Sequence, residues 1–195
     1  MINYRIKVFG QSDHAGTTPM PYRKDALYAA AKLLQYLHDE LDKLDKALVY
    51  TTGEIVCHPN VHTVIPDFVE FSIDARHEDP KVIEQVVEVI KNMPKEIVGC
   101  TTGYERAWSR DTVYYDEKLV GYVTEAVNEL GYSNQRINSG AGHDAQFVSY
   151  MMPTTMIFVP SKDGHSHCEE EFTPVEQCTK GVDVLLNAVL KYDEQ

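Results

Sequence analysis

Apolar and polar residues alternate from Tyr4 to Gly10, which predicts a strand with one buried face. From about Arg23 the spacing changes. Ala26, Leu27, Ala30, Leu33, Leu34, Leu37, Leu41 and Leu44 recur three or four apart, the pattern of an amphipathic helix of several turns. Leu48 to Cys57 is rich in Val, Ile, Tyr and Thr and predicts a second strand. The most regular alternation follows: Val69, Phe71, Ile73 and Ala75 are interleaved with Glu70, Ser72, Asp74 and Arg76. This register places Arg76 on the polar face of its strand. Asp79-Pro80 supplies an N-cap and an N1 proline for a second helix. Its apolar positions are Val82, Ile83, Val86, Val87, Val89 and Ile90, and it ends by Pro94. A further strand is expected between Ile97 and Arg110. The order β-α-β-β-α-β predicts the split βαβ (ferredoxin-like) arrangement over residues 1–112: one antiparallel sheet with both helices on one face.

Residues 113–195 read differently. Asp116 to Leu130 predicts a helix stopped by Gly131 at C′. The glycine-rich SGAGHDA opens a short helix, Thr154 to Val159 is a short apolar strand, and GHSHCEEEF is a loop. Thr173, Pro174 and Glu176 predict a capping box for a last helix through Val182, Leu185, Leu186, Val189 and Leu190. Three helices with one or two short strands suggest part of a larger α/β domain, because such strands need parallel neighbours.

Composition narrows the function classes. The net charge of -12 argues against a nucleic-acid partner, since phosphate binding needs a basic face. No apolar run is long enough to cross a bilayer. The N-terminal MINYRIKVFG has neither an apolar h-region nor a cleavage site, which points to the cytoplasm. The four cysteines form no CxxC pair and are expected to be reduced and mostly buried.

Candidate chemistry concentrates in two loops. One holds His143-Asp144; the other holds His165, His167 and the acids Glu169, Glu170 and Glu171. Neutral imidazole with carboxylate suits a zinc-type site, while a solvated acidic loop is the plainer reading; both stand. Cys168 as a thiol nucleophile is a weaker alternative. No GxGxxG is present, so a dinucleotide site is excluded. Taken singly, His14 reads as a turn histidine bonded to its own backbone and Arg76 as a strand-end surface charge.

Four segments taken together say more. GQSDHAGTTPMPYRKDAL, TVIPDFVEFSIDARH, SGAGHDAQ and GHSHCEEEF occur in this order across essentially the whole chain. The sequence resembles the amidase, hydantoinase/carbamoylase family, which includes N-carbamoyl-L-amino acid hydrolases and allantoate amidohydrolases. Members are roughly twice this length. Their N-terminal half carries a His-x-Asp motif, a Glu-Glu pair and a further histidine, which supply most ligands of a two-metal site and the general base. The resemblance therefore implies a lid or dimerisation domain at 1–112. At 113–195 it implies the C-terminal part of a zinc-aminopeptidase-like α/β catalytic domain.

By the same resemblance, His14 is the lid histidine that polarises the scissile carbonyl. Arg76 grips the substrate carboxylate, where a planar fork suits two oxygens. Thr63 stands where asparagine is usual and would contact substrate. Gly142 and His143 form a turn beside the substrate, and His167 is the one metal ligand from this half. Asp67 replaces a usual glycine, and Cys168-Glu169 replaces a frequent Asn-Pro. The implied cofactor is a divalent metal (Zn, Mn, Co or Ni) in the complete enzyme, with weak or no binding by this chain alone. The implied partners are a second copy through the lid and a small N-carbamoyl or ureido acid. Such a carbonyl is a poor electrophile, so metal polarisation, a carboxylate base and a lid donor each have a task. Two function classes stay open: part of a metal-dependent amidohydrolase, inactive alone, and a non-catalytic dimerisation module.

Overall fold

The computed structural model describes residues 1–194 and divides into two compact units, Met1–Thr112 and the chain from Val113 onward. Unit one contains β1 (Ile2–Phe9), α1 (Ala26–Leu41), β2 (Val49–Thr51), β3 (Ile55–His58), β4 (Phe68–Arg76), α2 (Pro80–Lys91), β5 (Glu96–Ile97) and β6 (Cys100–Ser109). All strand pairings are antiparallel, in the order β2-β4-β1-β6-β5, with β3 also on β4. Since β2 and β3 share one edge of β4, the long strands follow the order that a split βαβ unit gives.

The core follows from the alternation. Ile2, Tyr4, Ile6 and Val8 on β1 and Val69, Phe71, Ile73 and Ala75 on β4 all face inward. In the ladder, Ile6 pairs with Phe71 and Tyr4 with Ile73. Leu33, Leu37 and Leu41 of α1 and Val82, Val86 and Ile90 of α2 join the same cluster, so both helices cover one face of the sheet. Full burial of a side chain such as Phe71 contributes about 1.5–3 kcal/mol. Asp25 caps α1 by accepting from the Leu27 and Tyr28 amides, and Asp79 caps α2 by accepting from Lys81. The opposite sheet face is charged: Arg5 bonds Glu70 and Lys7 bonds Glu105, each at 2.7 Å.

The expected strand Leu48–Cys57 is interrupted. Ser72 Oγ accepts from the Gly53 and Glu54 amides, and Ser72 N–H donates to Glu54 O. These bonds turn residues 52–54 off the ladder and draw Ser72 inward, so it is buried although it lies on the polar side of β4.

Unit two contains α3 (Glu117–Glu129), α4 (Asp144–Ser149) and α5 (Val175–Asp193). Asp116 caps α3 through the Leu119 amide, and Gly131 past its end takes φ +69, a conformation that favours glycine. Two sequence expectations change here. Thr154–Val159 forms no strand, because no other extended segment among the described residues of this unit pairs with it. α5 starts one residue late, with Pro174 at the N-cap and no side-chain cap bond, because proline lacks an acceptor side chain. Val182, Leu185, Leu186, Val189 and Leu190 are exposed, whereas Val184 and Ala188 pack on Tyr122, Ala126 and Val127 of α3. α5 is apolar on most of its circumference, and α3 covers only one side.

All four cysteines are free thiols. Cys100 is buried and Cys57 half-buried, but Cys168 and Cys178 are exposed, contrary to the expectation of general burial, since both lie outside the packed faces. No helix among the described residues is long and apolar enough to cross a membrane.

Candidate functional site

His14 stands on a turn built by bonds from Asp13, Ala15, Gly16, Thr17, Thr18 and Arg23. β1 ends at Phe9, and Gly10 passes so close to residue 24 that a Cβ would sit 2.1 Å from the Lys24 carbonyl oxygen. Residues 10–15 then run beside 63–67. Gly10 N donates to Asp67 O at 2.7 Å, Ile65 N to Asp13 O at 2.9 Å and Ala15 N to Thr63 O at 2.9 Å. An isolated antiparallel bridge joins His14 to Val64. The chain next folds over His14: the Thr17 and Thr18 amides and the Thr18 hydroxyl all donate to His14 O. The Arg23 guanidinium closes the turn from outside, donating from Nη2 to Ala15 O and from Nε to Thr18 O.

The imidazole is exposed and also bonded to its own turn. Gly16 N–H donates to His14 Nδ1 at 2.9 Å, so Nδ1 is an acceptor and a neutral ring carries its proton on Nε2. The plain turn-histidine reading thus describes one edge of the ring and leaves Nε2–H as a donor on the other. Thr63 lies beside this turn, also exposed, and its carbonyl is held by Ala15.

Arg76 ends β4 on the polar face, as the alternation required. Its Nε donates to Asp74 Oδ1 at 2.7 Å, and Asn3 Nδ2 reaches Asp74 Oδ2 at 3.3 Å. Arg76 is not near His14. In the β1–β4 ladder Phe9 pairs with Phe68 and Ile2 with Ala75, so His14 leaves from one end of the sheet and Arg76 from the other. The eight steps from Phe68 to Arg76 alone cover about 26 Å. Within one copy the structure brings His14 and Thr63 together and keeps Arg76 apart.

At the His14 end, His58 Nδ1 lies 2.8 Å from Asp67 Oδ1. The bond to His58 first, then one to Ser12, holds the Asp67 carboxyl below the usual range. The departure at position 67 is therefore accommodated by a polar pair.

In unit two, His143 occupies the N-cap of α4 without a side-chain cap bond. Its Nε2 lies 2.7 Å from Ser139 Oγ, which accepts from Ala141 N, and its ring meets Phe158 edge-on at 5.5 Å. Gly142 lies in the same turn. His167 sits in an exposed loop with φ +58, a left-handed conformation costing a non-glycine residue on the order of 1 kcal/mol, and its N–H is held by Glu171 Oε2 at 2.8 Å. Among the described residues no group of three or more His, Cys, Asp or Glu side chains could hold a metal ion. A catalytic zinc needs three protein ligands, so these residues by themselves do not make such a site. His165 and the acids 169–171 do not join His167 in a ligand cluster.

Sequence reasoning assigned no role to Arg23 or Gly16. The available signal was their place inside the quoted GQSDHAGTTPMPYRKDAL string, where a cation follows the turn it closes.

Residues 22–191 match the sequence pattern of Peptidase family M20/M25/M40. The chain is 38% identical over 194 residues to an allantoate amidohydrolase of Bacillus subtilis (strain 168), covering 96% of this chain and 46% of that protein. It is 32% identical to an N-carbamoyl-L-amino-acid amidohydrolase of Paenarthrobacter aurescens, covering 97% of this chain and 47% of the relative. The crystal structure of an amidase of the hydantoinase/carbamoylase family from Burkholderia multivorans superposes with TM-score 0.79 at 36% identity, covering 97% of this chain and 47% of that one. The chain thus spans about half the length of the relatives it matches, and it belongs to the peptidase M20/M25/M40 family.

Proposed function

We propose that this chain is part of a metal-dependent amidohydrolase acting on linear C–N bonds of N-carbamoyl-L-amino acids or allantoate, and that it is inactive alone. The relatives' names and the matched family support the reaction class. The observation that carries the reading is the His14 turn: a motif-rich loop spends its bonds on holding an exposed imidazole with Nε2–H outward. Such a group donates to an oxygen that gains negative charge. Arg76 would bind the substrate carboxylate. Gly142 and His143 would line the substrate, with Thr63 near the His14 end. His167 would contribute one ligand to a divalent metal, which supplies carbonyl polarisation when bound.

The separation of His14 from Arg76 supports a homodimer. One small substrate cannot touch both residues of one copy across about 26 Å. β2 and β3 form a free sheet edge carrying the exposed apolar side chains Val49, Ile55 and Val56. Antiparallel pairing of this edge with a second copy about a two-fold axis would bring the His14 end of one copy beside the Arg76 end of its partner.

The test is to assay the chain with zinc, manganese or cobalt, then with the N-terminal half of a relative supplied in trans. Turnover is expected only with the added half, and it should fall in His14→Ala. Metal-dependent turnover by the chain alone, abolished in His167→Ala, would overturn the reading.

A further inference from the structure

We propose that Arg23 is a positioning residue for His14: by clamping the turn it holds the Gly16 amide on Nδ1, which keeps the imidazole proton on Nε2. The Arg23 fork reaches two carbonyls on opposite sides of Gly16, Ala15 O and Thr18 O. Two donors from one planar group fix both position and orientation, which a point charge cannot do. Between those anchors the Gly16 N–H points at Nδ1 at 2.9 Å. A side chain at this position would crowd the ring and push it off the amide. A Cβ on Gly16 would lie 3.1 Å from His14 Cε1 and 3.4 Å from Nδ1, against the ring itself.

The physical consequence is a defined donor. A free neutral imidazole exchanges its proton between the two nitrogens, and the bond made by one nitrogen decides which form persists. With Nδ1 occupied by a backbone donor, only Nε2 can carry the proton of the neutral ring. The ring plane is also set, because the hydrogen bond is directional. Arg23 touches neither imidazole nitrogen and acts only through the turn.

This role rests on the hydrolase reading for its purpose, but its measurement needs no substrate or metal. Nitrogen-15 spectra of the labelled 195-residue chain, at a pH where His14 is neutral, report the protonated ring nitrogen and the coupling across the Gly16 N–H···Nδ1 bond. The wild-type chain should show Nε2–H alone with a measurable coupling to the Gly16 amide nitrogen. In Arg23→Gln the coupling should disappear and the ring should revert to a tautomer mixture, with the signals of core residues such as Phe71 and Leu33 unchanged. Arg23→Lys, which keeps the charge and stem but not the fork, should give an intermediate coupling. Gly16→Ala should lose the coupling with Arg23 intact. A wild-type ring protonated on Nδ1, or couplings in both Arg23 variants equal to wild type, would overturn the proposal. That result would leave the hydrolase reading standing, whereas turnover indifferent to His14→Ala in the reconstituted enzyme would remove the hydrolase role and leave the tautomer assignment intact.

Discussion

His14 and Arg76 sit at opposite ends of one antiparallel ladder: Phe9, five residues before His14, pairs with Phe68, while Ala75, next to Arg76, pairs with Ile2. A substrate that needs both must draw them from different copies. When His14→Ala and Arg76→Ala chains are mixed in the reconstituted enzyme, each hybrid dimer should contain one intact site. Random exchange then restores about a quarter of wild-type turnover, although each variant alone has lost most of it. No recovery on mixing, in a sample shown by light scattering to be dimeric, would place both residues in one copy's site.

Without an added N-terminal half, the chain should not turn over N-carbamoyl amino acids or allantoate with any of the metals tried. His167 is one assigned ligand where a catalytic zinc takes three. No residue here is assigned as general base, and such a base is worth about two to four orders of magnitude in rate. Product release measured with and without the supplied half checks this directly.

Ser72→Ala should destabilise unit one by about 1–2 kcal/mol, since it removes the acceptor of two amides, Gly53 and Glu54, at a buried hydroxyl. Urea denaturation monitored by amide signals of β4 measures it. An effect near zero would mean that water replaces Ser72 at both amides.

Tyr50 ties β2 to the end of α1: its hydroxyl donates to Asp42, the α1 C-cap residue, and its ring meets His38 edge-on at 5.0 Å. Burial first, then the bond and charge of Asp42, push its pKa from 10.0 up to about 12. The folded state therefore keeps a proton that the unfolded chain loses. The stabilisation is complete below pH 10 and is lost as pH rises towards 12. Stability of the wild-type chain should fall across that window more steeply than that of Tyr50→Phe. Parallel slopes in denaturation at pH 9 and 11.5 would show that Tyr50 titrates normally.

The sequence by itself determined the sheet of unit one, because period-two alternation at Val69–Arg76 and Tyr4–Gly10 leaves only one register that buries the apolar set. It also determined the helix start at Asp79-Pro80, where local chemistry suffices: an acceptor side chain meets an unpaired amide. The motif strings marked His14, Arg76 and His167 as candidates through residue type and order.

Other features were decided only in three dimensions. The break at residues 52–54 depends on Ser72, about twenty positions away, whose hydroxyl looks like any polar-face residue until the strands pair. Thr154–Val159 has the composition of a strand, but a strand exists only with a neighbour, and the described residues supply none. The apolar stripe of α5 is legible in the sequence, but which of its sides α3 covers is a packing outcome. The same holds for His14. The tautomer of its ring depends on a 2.9 Å bond to Gly16 within a turn held by Arg23, and its distance from Arg76 depends on strand direction. Hydrophobic periodicity records which side of an element is buried; it does not record which residues from distant segments meet, because those contacts form only once the segments are packed.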